Sequence, residues 1–140
     1  MTLEIIKVDS ARSYPPRTTA FTEPYWLALA EGRLQTTRCC SCAKLTYPPK
    51  PICPHCWTDQ IEWTEIDPQG VLYTWTRIHA GPAMFAAELP YEVGIVDLNM
   101  GLRIAVRLVA RDGRDFKPGM AMRMVVLLHG DGPLLAAVPA

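Results

Sequence analysis

Hydrophobic positions along this chain follow two different periods, and the change between them divides it. Phe21 to Glu31 reads as a helix. Thr22 stands at the expected N-cap, Pro24 lies in the first turn, and Gly32 follows the last periodic residue. Phe21 and Trp26 occupy hydrophobic-staple positions, and Tyr25, Trp26, Leu29 and Ala30 share one face, with Leu27 opposite. So short a helix is marginal alone and needs a surface to lie on, either its own barrel or a partner subunit. Before it, Met1 to Arg17 ends in Tyr14-Pro15-Pro16 and reads as an extended, flexible tail.

After Gly32 the period shortens to two. Leu34 to Arg38, Lys44 to Tyr47 and Ile61 to Thr64 read as short strands. Asp67-Pro68-Gln69-Gly70 is a turn and the expected boundary. Beyond it come five strand patterns: Val71–Ile78, Tyr91–Leu98, Leu102–Leu108, Met120–Leu128 and Leu134–Val138. Asn99-Met100-Gly101 marks a hairpin between the second and third. Five short strands in that span suggest a small closed barrel of the OB type. The apolar connection from His79 to Pro90, with Met84, Phe85 and Leu89, either packs over a barrel end or makes a contact. The expected fold is therefore mainly β: residues 1–32 an N-terminal arm and helix, 33–66 a four-cysteine ribbon, and 67–140 a five-stranded OB-fold-like barrel.

The ribbon rests on cysteine spacing. Cys39/Cys42 and Cys53/Cys56 are two C-x-x-C pairs separated by ten residues. Each pair closes a turn with two thiolates facing one centre, and two such turns give a tetrahedral, closed site for structural Zn²⁺. The first residues contain neither a basic segment nor a long apolar one, so a reducing, cytoplasmic setting is expected, where paired cysteines bind metal more often than they cross-link. Iron or a redox dithiol are the alternatives. Cys40, the fifth cysteine, reads as a bystander or an outer thiol.

With 49% hydrophobic residues in 140, the chain can bury a core. Lys+Arg and Asp+Glu balance at 14 each, which excludes a global basic field for nucleic acid. Locally, Arg33, Arg38, Lys44 and Lys50 lie in a stretch to Cys56 that has no acidic residue. Part of that charge offsets a dianionic zinc–thiolate centre. No apolar run approaches a membrane span. Nor is there a G-x-S-x-G elbow, a Walker loop, an H-E-x-x-H or a G-x-G-x-x-G motif, so catalysis by this chain alone is not expected. Nucleic-acid binding is the competing reading, since Tyr73 and Trp75 offer stacking surfaces. Its weakness is that seven basic residues face six acidic ones from Gly70 onward.

The order of motifs is more specific than any one of them. Gly32-Arg33-Leu34 precedes Arg38-Cys39-x-x-Cys42; Pro48-Pro49, Cys53-Pro54-x-Cys56 and Trp63 follow. Then come Gly70-Val71-Leu72-Tyr73-Thr74-Trp75-Thr76, Pro90-Tyr91-x-Val93, Gly101-Leu102-Arg103 and Lys117-Pro118-Gly119-Met120. Over Phe21 to Leu128 this resembles the zinc-ribbon, OB-fold, acyl-CoA-associated proteins of the DUF35 type. The resemblance implies a non-catalytic accessory subunit in a hetero-oligomer with a thiolase-like or other acyl-CoA enzyme. Ribbon and helix would dock on that enzyme, and the barrel would shape the path of a coenzyme A thioester. Arg38, Lys50 and Arg77 are the candidates for CoA phosphates. Two features depart from the pattern. Ala43 and Trp57 stand where such knuckles carry Gly, so an altered knuckle backbone is expected. Lys50 stands where Arg is frequent, which removes a bidentate fork.

Overall fold

The computed structural model describes residues 1–140. The element order is β1 (Ile5–Lys7), α1 (Glu23–Ala30), β2 (Gln35–Cys39), β3 (Leu45–Thr46), β4 (Ile61–Glu65), β5 (Gln69–Ile78), β6 (Tyr91–Leu98), β7 (Arg103–Leu108), β8 (Ala121–His129) and β9 (Gly132–Pro139). A 3₁₀ turn, Ala83–Glu88, lies between β5 and β6. The expected mainly-β fold is present, with a three-stranded ribbon in the order β3-β2-β4 and a separate barrel.

The barrel closes as β5-β6-β7-β9-β8, with β8 returning to β5. Four of these pairings are antiparallel; β7 and β9 run parallel, Arg107 opposite Ala136. Closure leaves the five strands without a free edge between them. Alternation sets the register: along β7, Ile104, Val106 and Leu108 are buried while Arg103 and Ala105 face solvent. Nearly all of β8 is covered, as its double-sided apolar pattern requires, because a second small cluster (Val125, Leu127, Ala136 and Val138) backs the main core.

One core runs through arm, helix, ribbon base and barrel. It joins Leu3, Tyr25, Leu29, Leu34 and Ile66 to the barrel residues Leu72, Val96, Ile104 and Met124. The helix therefore docks on its own barrel, burying Tyr25, Ala28 and Leu29. Trp26 is only half-buried, and Leu27 is exposed as expected. Phe21 packs on Trp63, their rings 5.4 Å apart, so the helix entrance is pinned to the ribbon. Thr22 does not cap the helix with its side chain; its hydroxyl accepts the Thr19 N–H at 2.9 Å instead.

The tail expectation is overturned. Ile5–Lys7 adds a parallel strand to β8, Ile5 opposite Val126, and Leu3 is buried in the core. Leu3 donates its N–H to Gly32 O at 2.7 Å, and Glu4 binds both Arg111 and Arg123. A three-residue strand has no periodicity of its own, and its pairing partner lies more than a hundred residues away in the sequence.

Candidate metal centre

The ribbon has almost no apolar interior of its own. Thr36 and Thr37 are its buried residues beside Cys39 and Cys53, and both hydroxyls are used: Thr36 bonds Thr46 O, and Thr37 Oγ1 accepts the Lys50 N–H at 3.1 Å. At the tip, β2 delivers Cys39, and the turn back to β3 delivers Cys42. The loop into β4 supplies Cys53 and Cys56.

All four sulfurs lie within 4.8 Å of one another. Cys39 Sγ to Cys56 Sγ is 3.4 Å, and Cys42 Sγ to Cys53 Sγ is 3.7 Å. A tetrahedral Zn²⁺ with sulfurs at 2.3 Å has sulfur edges of about 3.8 Å, so the donor set fits zinc. Backbone N–H groups of Ser41 and Cys42 point at Cys39 Sγ (both 3.3 Å), and that of His55 at Cys53 Sγ (3.4 Å). Donation by the Cys42 N–H is the largest cause that draws Cys39 down to about 6. Cys56 is pushed up to about 12: the Thr58 N–H favours its thiolate, but the crowded Cys39, Cys53 and Cys42 sulfurs outweigh it. Four thiolates so close together require a dication to hold them ionised.

Both knuckles keep a left-handed residue after the second cysteine, Ala43 at φ 62° and Trp57 at φ 65°. The altered backbone expected at those positions is absent: closing four sulfurs on one centre enforces the turn, and the side chain bears the strain. The Ala43 and Trp57 N–H groups bond Cys39 O and Cys53 O, which fixes each turn. Ala43→Gly is accordingly expected to stabilise the ribbon by about 1 kcal/mol, read as a higher melting temperature at fixed zinc. No gain would show that the knuckle is unstrained.

Cys40 is exposed and outside the sulfur cluster; its N–H bonds Gln60 O at 2.8 Å, joining the first knuckle to the approach to β4. His55 is exposed and is not part of the cluster.

The three candidate phosphate residues do not converge. Arg38 lines an open cleft of about 510 Å³ between the ribbon and the β6–β7 hairpin, with Lys44, His55 and Met100. Its Nε is buried without a hydrogen-bond partner, and none of the protein's ion pairs involves Arg38, Lys44 or His55. Lys44 and His55 are the residues that sequence reasoning left out of this group, since only folding brings both knuckles to one cleft. Lys50 is exposed on the loop between the knuckles. Arg77 lies near the far end of β5, about 25 Å from the strand's ribbon end, and pairs with Glu92 at 2.9 Å.

On the barrel, aromatic rings and arginines do alternate. Arg103 lies over Tyr73 (3.9 Å to the centroid), Arg107 over Tyr91 (4.1 Å) and Arg77 near Trp75 (5.9 Å). Each guanidinium is neutralised by a carboxylate, Asp97, Glu88 and Glu92 respectively. Such stacks stabilise the sheet, but they leave little free charge for a phosphate backbone. No helix is long and apolar enough to cross a membrane.

Comparison with known proteins agrees with this architecture. Residues 26–62 match the ChsH2 rubredoxin-like zinc ribbon domain, and residues 63–127 match the ChsH2 C-terminal OB-fold domain. A probable enoyl-CoA hydratase alpha subunit of Thermomonospora curvata is 36% identical over 86 residues, 61% of this chain, which spans only 27% of that protein. A DUF35 domain-containing scaffold protein of Pyrococcus furiosus is 30% identical over 101 residues, covering 72% of this chain and 74% of its own length. Benzoylsuccinyl-CoA thiolase subunit BbsA of Thauera aromatica is 33% identical over 101 residues, 70% and 69% of the two chains. Among solved structures, a chain of the Ltp2-ChsH2(DUF35) aldolase superposes with a TM-score of 0.76 at 28% identity, covering 89% of this chain and 98% of that one. Helix, four-cysteine ribbon and parallel-closed barrel, in that order and over those lengths, place the chain in the DUF35 family of ChsH2-type zinc-ribbon and OB-fold proteins.

Proposed function

We propose that this chain is a non-catalytic, cytoplasmic accessory subunit of an acyl-CoA enzyme of the thiolase superfamily or a related hydratase or aldolase. The observation that carries this reading is the superposition of helix, ribbon and barrel together on nearly the whole of a chain from an aldolase complex. Relatives named as subunits of an enoyl-CoA hydratase and of a CoA thiolase support the same class of partner. Shared core residues join the helix and the base of the ribbon to the barrel, an arrangement suited to presenting one surface to another subunit.

The ribbon offers the contact. Trp57 is 79% exposed although its left-handed backbone is costly for so large a residue, and Ile52 on the preceding loop is also exposed. Exposed aromatic anchors of this kind are the residues that dominate protein interfaces. CoA phosphates fall to Arg38, Lys50 and Arg77 in this reading. Arg38 has the strongest support, because its buried Nε lacks an acceptor in a cleft without a carboxylate. Arg77 would serve only a separate part of the ligand, given its distance along β5.

A tagged copy captured from its host is expected to bring down an acyl-CoA enzyme in stoichiometric yield. Trp57→Ala should weaken that complex at least about tenfold without loss of zinc. Recovery of the chain alone, or with nucleic acid, would overturn the assignment.

A further inference from the structure

The N-terminal arm borders an open pocket as well as covering apolar surface. After β1, Val8 donates its N–H to Leu128 O at 2.9 Å. Arg12 then clasps the β8–β9 turn: its backbone N–H bonds Asp131 Oδ1 at 2.8 Å, and its guanidinium bonds Asp131 O at 2.7 Å. Gly132 makes room for that clasp, since a Cβ there would lie 2.6 Å from Arg12 Nη2. Ser13 ties the arm to Glu88, at the end of the 3₁₀ turn.

Ordering these residues costs roughly 1–2 kcal/mol each in backbone entropy, offset in part where Ile6 and Val8 pack on the small cluster of β8 and β9. Between the arm and the barrel remains an open pocket of about 300 Å³, whose apolar part is lined by Val8, Leu127, Leu134 and Leu135. Ligand pockets begin at about this size. An engineered apolar cavity of about half the volume takes up benzene, so this one suits an apolar group of about eight carbons.

The rim is polar but balanced. Glu88, Arg107 and His129 stand at the cavity with Ser10. Burial raises the Glu88 carboxyl, but the Ser13 hydroxyl and the Arg107 guanidinium bring it below its usual range, so it stays ionised. Arg107 Nη1 donates to Glu88 at 2.8 Å, and His129 Nδ1 lies 3.1 Å from Ser10 O. With its charge met, the rim favours a neutral polar end group over an ion, and Arg107 has further N–H donors for an oxygen. Most of the lining, including Val8, Ser10, His129, Leu134 and Leu135, lies outside the residues shared with the ribbon and barrel families. The pocket joins the two ends of the chain to Glu88, Arg107 and Leu127 of the barrel.

We infer that this cavity is a binding site for the apolar acyl group of a thioester, tail among Val8, Leu127, Leu134 and Leu135 and carbonyl oxygen towards Arg107. The acyl class rests on the proposed function; the cavity and its neutral, apolar preference do not.

The test uses the full chain with zinc bound, isotope-labelled methyl groups, and S-octanoyl-N-acetylcysteamine, a neutral thioester without the nucleotide. Saturable shifts of the Val8, Leu127, Leu134 and Leu135 methyls are expected. Leu135→Trp, which fills the cavity, should weaken binding at least about tenfold, and unacylated CoA should leave these methyls unmoved. If Leu135→Trp does not fold, Ala11→Trp on the exposed arm blocks the mouth and carries the same expectation. Methyls that stay silent, shift without saturating, or respond equally in a folded Trp variant overturn the inference. Capture of an acyl-CoA enzyme alongside silent methyls removes the cavity assignment and leaves the accessory role standing. Failure of capture with saturable methyl shifts does the reverse.

Discussion

Removing the metal by chelation, or replacing Cys39 or Cys53 with Ser, is expected to unfold the ribbon from Gln35 to Glu65 while the barrel keeps its strands. The reason lies in what the ribbon buries. Apart from the two buried cysteines its enclosed side chains are Thr36 and Thr37, whose hydroxyls contribute hydrogen bonds but little transfer free energy. Leu34 and Ile66, which flank the ribbon, belong to the main core, and Leu45, Tyr47 and Trp63 of the ribbon pack against that core only partly buried. A structural zinc site supplies on the order of 10–16 kcal/mol at neutral pH, far more than three strands of five, two and five residues can recover by pairing alone. In an amide correlation spectrum the ribbon signals should collapse to the unfolded range, and those of β5–β9 should hold. A metal-free ribbon with native dispersion would show that strand pairing, not the ion, maintains it. Because the exposed Trp57 and Ile52 are presented by the second knuckle, loss of metal should also abolish partner capture.

Gly70→Ala is expected to destabilise the whole protein by about 3 kcal/mol, a fall in melting temperature of about 10 °C. Gly70 lies near the start of β5, paired with Leu98 on one side and Met122 on the other. A Cβ there would stand 2.4 Å from Asp97 O and 3.0 Å from both Asp97 C and Val96 Cγ1. The obstacle is chiefly backbone, and β6 cannot retreat because β7 holds it from behind. Gly94→Ala is the internal comparison. Its Cβ would meet the methyl ends of Leu108 (2.8 Å) and Leu72 (2.9 Å), which can rotate aside, so a loss nearer 1 kcal/mol is expected there. Equal effects at the two glycines would mean that β5 and β6 separate more readily than their pairing suggests.

Much of this architecture was legible from local signals. The pattern of Tyr91–Leu98 predicts β6 to the residue, and alternation along Arg103–Leu108 assigns its faces correctly. The cysteine spacing brings Cys39, Cys42, Cys53 and Cys56 together as expected. These signals are strong because a strand buried on one face repeats every two residues, and a knuckle is closed by residues three apart.

Three outcomes lay beyond any local pattern. The arm's attachment depends on Arg12 reaching Asp131 and on Ile5 lying opposite Val126. The knuckles hold Ala43 and Trp57 at positive φ because metal-site closure outweighs the preference of either side chain. Arg38, Lys50 and Arg77, alike as charges in the sequence, separate into a cation facing a cleft, an exposed lysine and an ion-paired arginine.

Period, turn chemistry and cysteine spacing therefore determined the order of helix, ribbon and barrel and the four cysteines of the candidate metal centre, since each arises among residues close along the chain. Tertiary structure alone decided where the helix lies, that the arm folds back over β8 and β9, which charges remain unpaired, and that a cavity stays open beneath the arm. Those features are set by contacts between segments a hundred residues apart, whose free energy appears only once the barrel has closed.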